Sequence, residues 1–552
     1  MGSLVWRLPW LVALAACTGE PPVTFTDVTE QAGIDFRYTF GDYSYENILE
    51  SSGSGVTVLD YDGDGDLDLY MLNGTYLEGI SDPEGDVFEG TPNRLYRNNG
   101  DGTFTEAAAE AGVDDRHWSM AAGALDHDGD GDVDLYLLNY GPNVFYLNNG
   151  DGTFTDVADS LGLRGPETLN RHTKWSVGVS FWDYNLDGAV DLMVGNFLAF
   201  DPAYASPTAP DAMPHPSEYH GQASMLYRQG ADGRFTDVTR EAGLHYPESK
   251  CMGLTVFDFD DDGDLDLFQG NDHQSNFLFR NDGDQGFREV GETSGVAVND
   301  LGLATGSMHG SIGDVDGDGL IDLLVTDLRY GALYRNLGKG LFEDITRASG
   351  VARAFEGKGA WAAALFDFDN DGDLDIFSAN GAAEELVEQS PLLLENDGKA
   401  GFRNAGPELG AYFREKRSGR GAAVWDFDDD GDLDIIVSHL DLRATAALLR
   451  NDGGNRNHWL GLTLVGSDGP ASAIGARVTI VAGERNQVAV NQWATSYLSY
   501  HDPRMHIGLG GEELVERLEI RWPNGRTEVF RNIAADRYLT VVQGEGFAPD
   551  NP

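Results

Sequence analysis

Along most of the chain, short apolar runs rich in Val, Ile, Leu and aromatic residues alternate with acidic, glycine-rich loops. The stretch 56–72, "VTVLDYDGDGDLDLYML", shows the unit: an apolar run, a loop with aspartate at alternate positions, and a second apolar run. Runs this short, bounded by turn residues, predict β-strands rather than helices. Matching loops begin at Asp60, Asp126, Asp183, Asp258, Asp314, Asp367 and Asp426, spaced by 66, 57, 75, 56, 53 and 59 residues. Between the loops lies a second signature: "LYRNNGDGTFTEAAAEAG" (95–112), "FYLNNGDGTFTDVADSLG" (145–162), "LYRQGADGRFTDVTREAG" (226–243) and "LYRNLGKGLFEDITRASG" (333–350). It reads as a strand, a Gly/Asn/Asp turn and another strand. Each repeat is thus two hairpins, strands A and B around the acidic loop, then C and D around the turn, and repeats of this length predict four-stranded propeller blades.

The chain ends complete the count. "FTDVTEQAG" (25–33) is a strand D without a strand C, and "ALLRNDGG" (447–454) is a strand C that no strand D follows. An N-terminal strand that completes the seventh blade closes the ring and removes its open sheet edges. The residues three, five and seven positions before each loop's first aspartate are small, His309 alone excepted. On a regular strand they share one face, as crowding of innermost strands at a propeller axis demands.

Five aspartates in "DYDGDGDLDL" repel one another unless something cancels their charge. Asp60, Asp62, Asp64 and Asp68 stand at loop positions 1, 3, 5 and 9, with Gly65 at the sharp turn of position 6. Hard oxygen ligands at this spacing suit Ca²⁺. The other loops supply Asp126, Asp128, Asp130 and Asp134; Asp183, Asn185, Asp187 and Asp191; Asp258, Asp260, Asp262 and Asp266; Asp314, Asp316, Asp318 and Asp322; Asp367, Asp369, Asp371 and Asp375; and Asp426, Asp428, Asp430 and Asp434. An EF-hand needs glutamate at position 12, where these loops carry other residues, so the ninth-position aspartate is expected to close the site. One Ca²⁺ per loop, about seven in all, is the expectation. A solvated acidic turn is the alternative for any single copy.

Composition narrows the class. With a net charge of −55 and 41% hydrophobic residues, the chain is folded and very acidic. This argues against nucleic acid and unassisted binding to anionic membranes, and for bound cations. "LVWRLPWLVALAAC" near the start predicts an export signal. Its end, Leu14-Ala15-Ala16-Cys17, fits a lipobox in which Cys17 is lipidated, within residues 1–17; an ordinary signal peptide is the alternative. Only Cys251 remains, so no disulfide is expected within the mature chain.

The acidic loops resemble those of the FG-GAP/VCBS repeat family, which implies an all-β fold, a seven-bladed β-propeller over 18–454 with calcium sites on one face. From Asn455 the repeats stop. "NRNHWLGLTLVG", "AIGARVTIVAG", "SYLSYHDPRMHIGLG", "VERLEIRWPNGRTEVF" and "RYLTVVQGEG" alternate apolar residues and predict a small C-terminal β-domain, 455–546, before a tail at 547–552. They are similar to the ASPIC/UnbV domain of the cartilage acidic protein-like family. Arg504, His506 and Arg521 are candidates for a small polar site there, or for satisfied structural residues.

Strand A runs into the acidic loop and strand B away from it, so the start of A and the end of B share the opposite face. Polar residues end every strand B: Asn73, Asn139, Asn196, Asn271, Asp327, Asn380 and His439. Near the starts of strand A stand His117, Lys174, Lys250, Lys358 and Arg417, three of the chain's six lysines among them, with His309 below. These six are candidate contacts for an anionic ligand, or else structural residues. Insertions near 72–93, 197–224 and 381–391 leave from the same face, where variable loops on a rigid scaffold build binding sites.

The leading functional reading is an exported, lipid-anchored or secreted monomer that binds a protein or glycan without catalysis. The alternative is a lyase or dehydratase for acidic sugars, a chemistry known among related propellers. It needs a base beside cationic groups, for which His309, His117, His172, Lys174 and Lys250 are candidates. Cys251 is a candidate nucleophile or a buried small residue.

Overall fold

The computed structural model describes residues 23–549, apart from 43, 84–87, 89, 211, 329, 384, 442, 443, 468, 493 and 494, so the export segment and Cys17 lie outside the described residues. Seven antiparallel blades of four strands follow one another along the chain. In the second blade these are strand A (Ser119–Leu125), strand B (Asp134–Asn139), strand C (Val144–Asn148) and strand D (Phe154–Asp156). The remaining A strands are Val56–Leu59, Ser176–Trp182, Cys251–Phe257, Ser307–Gly313, Ala360–Phe366 and Gly419–Trp425. Each packs against the next, and the first meets the seventh, which closes the ring. In the seventh blade the N-terminal strand Thr24–Asp27 pairs antiparallel with Ala447–Asp452, Thr24 opposite Asp452 and Asp27 opposite Leu449.

The strand A alternation differs from expectation. Ser176 pairs with Asn196 but Gly178 with the adjacent Gly195, so strand A carries one extra residue. Similar register shifts occur in every blade from the second to the seventh. Adjacent partners lie on opposite faces, so this bulge turns the residue seven before the loop away from the face of the residue five before it.

The axis is filled by the far end of the chain. Thr495–Ser496 and Ser499–Tyr500 form a hairpin whose Tyr500 pairs in parallel with Thr57 of the first strand A. Tyr497 and Leu498, at its turn, are buried. Ser499 Oγ accepts the Val56 N–H at 3.1 Å, and Ser496 Oγ donates to the Ala363 carbonyl at 2.9 Å. Tyr500 OH donates to the Val179 carbonyl, and the Tyr497 ring sits 4.9 Å from that of Trp361. A Cβ on Gly55 would stand 2.3 Å from the Leu498 carbonyl oxygen, and one on Gly421 2.8 Å from Ser499 Oγ. Small residues at the axis therefore make room for this hairpin as well as for one another.

The rest of the C-terminal domain is two sheets. In one, His458–Val465 lies between Met505–Gly510 and Arg537–Val542; in the other, Arg477–Ala482 lies between Arg485–Val490 and Leu514–Arg521. They enclose a core that includes Leu460, Val478, Leu518 and Trp522.

Candidate functional site

All seven acidic loops share one turn. The position-6 glycine is left-handed in each, Gly65 at φ 95° among them, a conformation that L side chains rarely adopt. This turn lets Asp60 accept two backbone donors, Gly63 N–H at 2.8 Å and Gly65 N–H at 3.2 Å. The ninth-position aspartate opens every strand B. In the first loop Asp68 Oδ2 accepts the Tyr61 N–H at 3.0 Å and Oδ1 the Asn98 N–H of strand C at 2.8 Å. The pair recurs in each loop, through to Asp434 with Phe427 and Asn451.

The strand C residue in this pair has a second role that the sequence did not announce. Its side-chain amide donates to the position-2 carbonyl of the preceding blade's loop. Asn148 reaches Tyr61 O at 2.9 Å, Gln229 His127 O at 3.0 Å, Asn281 Tyr184 O at 2.9 Å and Asn336 Phe259 O at 3.0 Å. Asn396 and Asn451 continue the series to Val315 O and Phe368 O, and Asn98 closes it by reaching Phe427 O at 2.9 Å. Seven amides thus bolt each blade to its neighbour at the acidic loop. The available signal was the repeated amide of "LYRNN", "FYLNN", "LYRQG" and "LYRNL".

Carboxylate oxygens gather within each loop. Ligand atoms of Asp60, Asp62 and Asp68 lie within 4.8 Å of one another, as do those of Asp258, Asp260 and Asp262 and those of Asp314, Asp316 and Asp322. Asp62 Oδ1 and Asp260 Oδ1 are buried and accept no hydrogen bond. Burial first, and the neighbouring aspartates after it, push Asp68 and Asp191 up to about 8 and Asp322 up to about 7. Burial and mutual repulsion thus disfavour full ionisation of these carboxylates when no cation is bound. The donor set, hard and all oxygen with two orphaned atoms, fits a divalent cation. The second loop differs, since His127 Nδ1 lies 2.6 Å from Asp134 Oδ2.

The C-terminal domain sits on this face. Arg521 Nη2 donates to Asp258 Oδ2 at 3.0 Å and Asp261 Oδ1 at 3.2 Å, Arg504 Nη1 to Asp429 Oδ1 at 2.8 Å, and Tyr538 OH to Asp426 Oδ2 at 2.7 Å. His506 Nε2 faces Asn370 Oδ1 at 2.7 Å. Arg504, His506 and Arg521 are therefore docking residues on three different loops and build no common polar site.

On the opposite face the six candidate ligand contacts are not drawn to one point. His117 Nδ1 lies 3.0 Å from Asp115, Lys174 Nζ donates to Asn143 Oδ1 at 2.6 Å, and Lys250 Nζ to the Pro216 carbonyl at 2.8 Å. Lys358 Nζ donates to the Ser390 carbonyl at 3.3 Å, and Arg417 pairs with Glu415 at 2.6 Å. Lys174 is buried, which pushes it down to about 7. His309 is buried in the inner shell with Gly253, near the C-terminal hairpin. Cys251 is buried and its thiol pushed up to about 12, which disfavours the thiolate that a nucleophile needs. The polar ends of strand B serve the backbone: Asn139 donates to Pro142 O at 2.9 Å, Asn196 to Ala223 O at 2.8 Å and Asn380 to Ser390 O at 3.0 Å.

The families that match the chain agree with this architecture. The family described as ASPIC and UnbV matches residues 466–547, and the FG-GAP-like repeat matches 81–136, 126–194, 258–325 and 314–378. Cartilage acidic protein 1 of Homo sapiens and of Mus musculus are each 27% identical over 90% of the chain, which spans 63% and 65% of their lengths. Among solved structures, an Agrocybe aegerita lectin that recognises non-reducing terminal N-acetylglucosamine aligns at 17% identity and TM-score 0.39, covering 70% of this chain and 86% of the lectin. The V. cholerae biofilm matrix protein Bap1 aligns at 11% identity and TM-score 0.32, covering 92% of this chain and 62% of Bap1. The chain is an FG-GAP-like repeat propeller with an ASPIC and UnbV domain, similar over most of its length to cartilage acidic protein 1.

Proposed function

We propose that the protein is a calcium-stabilised, non-catalytic binding module whose seven acidic loops are structural Ca²⁺ sites. The observation that carries this reading is the gathering of buried aspartate oxygens, those of Asp62 and Asp260 without any hydrogen-bond donor, in loops that recur around a closed ring. Asp60, Asp62, Asp64 and Asp68, and their equivalents, would hold the ion; bound, it supplies the positive charge that lets the carboxylates stay ionised. Metal analysis after dialysis is expected to find about seven calcium ions per chain, and excess chelator to lower the melting temperature. Calcium-free protein with unchanged melting overturns the reading.

The ligand, a protein or a glycan, is assigned to the opposite face. Support comes from the C-terminal domain, which occupies much of the loop face, and from the insertions that leave from the ends of strand B. The lyase alternative loses ground because Lys174 is buried, Cys251 is held as a thiol and His309 lies near the C-terminal hairpin. A glycan and envelope-protein binding screen, with and without calcium, tests the assignment. Export with anchoring through Cys17 belongs to the same reading, and its test is metabolic labelling with a fatty-acid probe that Cys17→Ala abolishes.

A further inference from the structure

At the axial mouth on the face away from the acidic loops lies a pit of about 40 Å³. Its walls come from different blades. Met252, Asp272 and His273 belong to the fourth, Met308 to the fifth and Trp361 to the sixth, while Met213 and His215 belong to the insertion after the third blade's strand B. Trp361 also meets Tyr497 edge-on, with ring centroids 4.9 Å apart, so the C-terminal hairpin supports the pit from below.

Asp272 is 2% exposed, and its Oδ1 has no hydrogen-bond partner. His273 Nε2 lies 3.7 Å from that oxygen, beyond hydrogen-bond reach but within the span of two ligands on one ion. The nearby Lys250 ammonium donates instead to the Pro216 carbonyl, which ties the insertion down. His215, whose Nδ1 accepts the Ser217 N–H at 3.2 Å, stands against His273 with ring centroids 4.1 Å apart.

We propose that this pit binds one late first-row transition-metal ion, copper before zinc, through Asp272 Oδ1 and His273 Nε2, with thioether sulfur from the surrounding methionines. A buried carboxylate oxygen without a donor calls for a cation or a proton. The pit's volume suits an ion with its water rather than an organic cation. Carboxylate alone would suit calcium, but imidazole nitrogen and three methionines on the same walls shift the preference to softer metals, and thioethers to Cu(I). The site is distinct from the acidic loops, at the other end of the strands.

The test is a competition titration on the full chain in excess calcium, with Cu(I) held by a colorimetric chelator under reducing conditions and Zn²⁺ in parallel. Wild type is expected to withdraw one equivalent of copper. The double variant Asp272→Asn/His273→Gln should bind at least about 100-fold more weakly, the upper end of what losing an outer-shell partner costs, with its melting temperature in calcium retained. Copper-edge absorption of wild type should show sulfur beside nitrogen and oxygen, a readout that does not depend on the variant folding. Failure of wild type to compete, equal competition by the variant, or a shell of nitrogen and oxygen alone overturns the proposal. A rise in melting temperature for Asp272→Asn without any metal bound assigns the orphaned oxygen to a proton and overturns it too.

Discussion

The two faces of the propeller are built from the same strands and differ in almost everything else. The loop face repeats one plan seven times, with a left-handed glycine at position 6, the same paired backbone donors to the ninth-position aspartate and the same amide bolts between neighbours. The opposite face repeats only its polar strand ends, and these bond to the connecting segments. Where each copy must hold the same small object, a short motif suffices and recurs. Where a surface takes its shape from several blades at once, the residues differ from blade to blade. The contrast also explains the placement of the second domain, since a face dense in carboxylates attracts the arginines of the C-terminal sheets.

Removing calcium should break the comparison most strongly. A site filled at 100 times its Kd adds about 2.7 kcal/mol to stability, so emptying all loops is expected to give the largest fall in melting temperature, measured by calorimetry. The pH response should then invert. In the metal-free protein burial pushes Asp68 and Asp191 up to about 8 and Asp322 and Asp426 up to about 7, above the ordinary aspartate value, so the folded state binds more protons than the unfolded one. Stability in chelator should rise as pH falls from about 8 toward 5, whereas in calcium the same protons compete with the metal. Melting curves across that range check the sign.

Next in size is the ring closure. Deleting residues 23–33 removes the last blade's outer strand and leaves Ala447–Asp452 as an open edge. Aggregation or loss of cooperative unfolding is expected, read by light scattering and denaturant titration. A monomeric deletion variant of unchanged stability contradicts the closure.

The axial hairpin comes third. Tyr497 is fully buried against Trp361, so Tyr497→Ala should cost about 3–5 kcal/mol, as for other large aromatic truncations. An effect confined to the C-terminal domain, seen as a separate unfolding transition, would show that the hairpin does not couple the domains. Asn451→Ala should cost less, about 1–3 kcal/mol, by leaving the buried Phe368 and Leu433 carbonyls without this donor. Its loss should fall on the last two blades in hydrogen exchange. Arg521→Ala, which breaks a partly exposed pair with Asp258 and Asp261, should change stability by less than about 1 kcal/mol, and less still in high salt.

The sequence by itself determined the number of blades, the closing N-terminal strand and the carboxylates of every acidic loop. These are local patterns: strand period, turn residues and ligand spacing are written within ten residues or so of one another and repeat. Repetition also exposed the small residues at the axis, but crowding of the innermost strands is only part of what keeps them small. Nothing in residues 50–60 shows that Gly55 must clear the Leu498 carbonyl, because the contact joins segments some 440 residues apart. The bulge in strand A was equally hidden, since it appears only in the pairing with strand B. Tertiary structure alone decided that Arg504, His506 and Arg521 are docking residues, that the lysines are spent on separate local partners, and that Asp272 and His273 meet side chains of other blades at the mouth. Periodicity fixes which side of a strand a residue occupies; only packing decides which distant side chain it meets there.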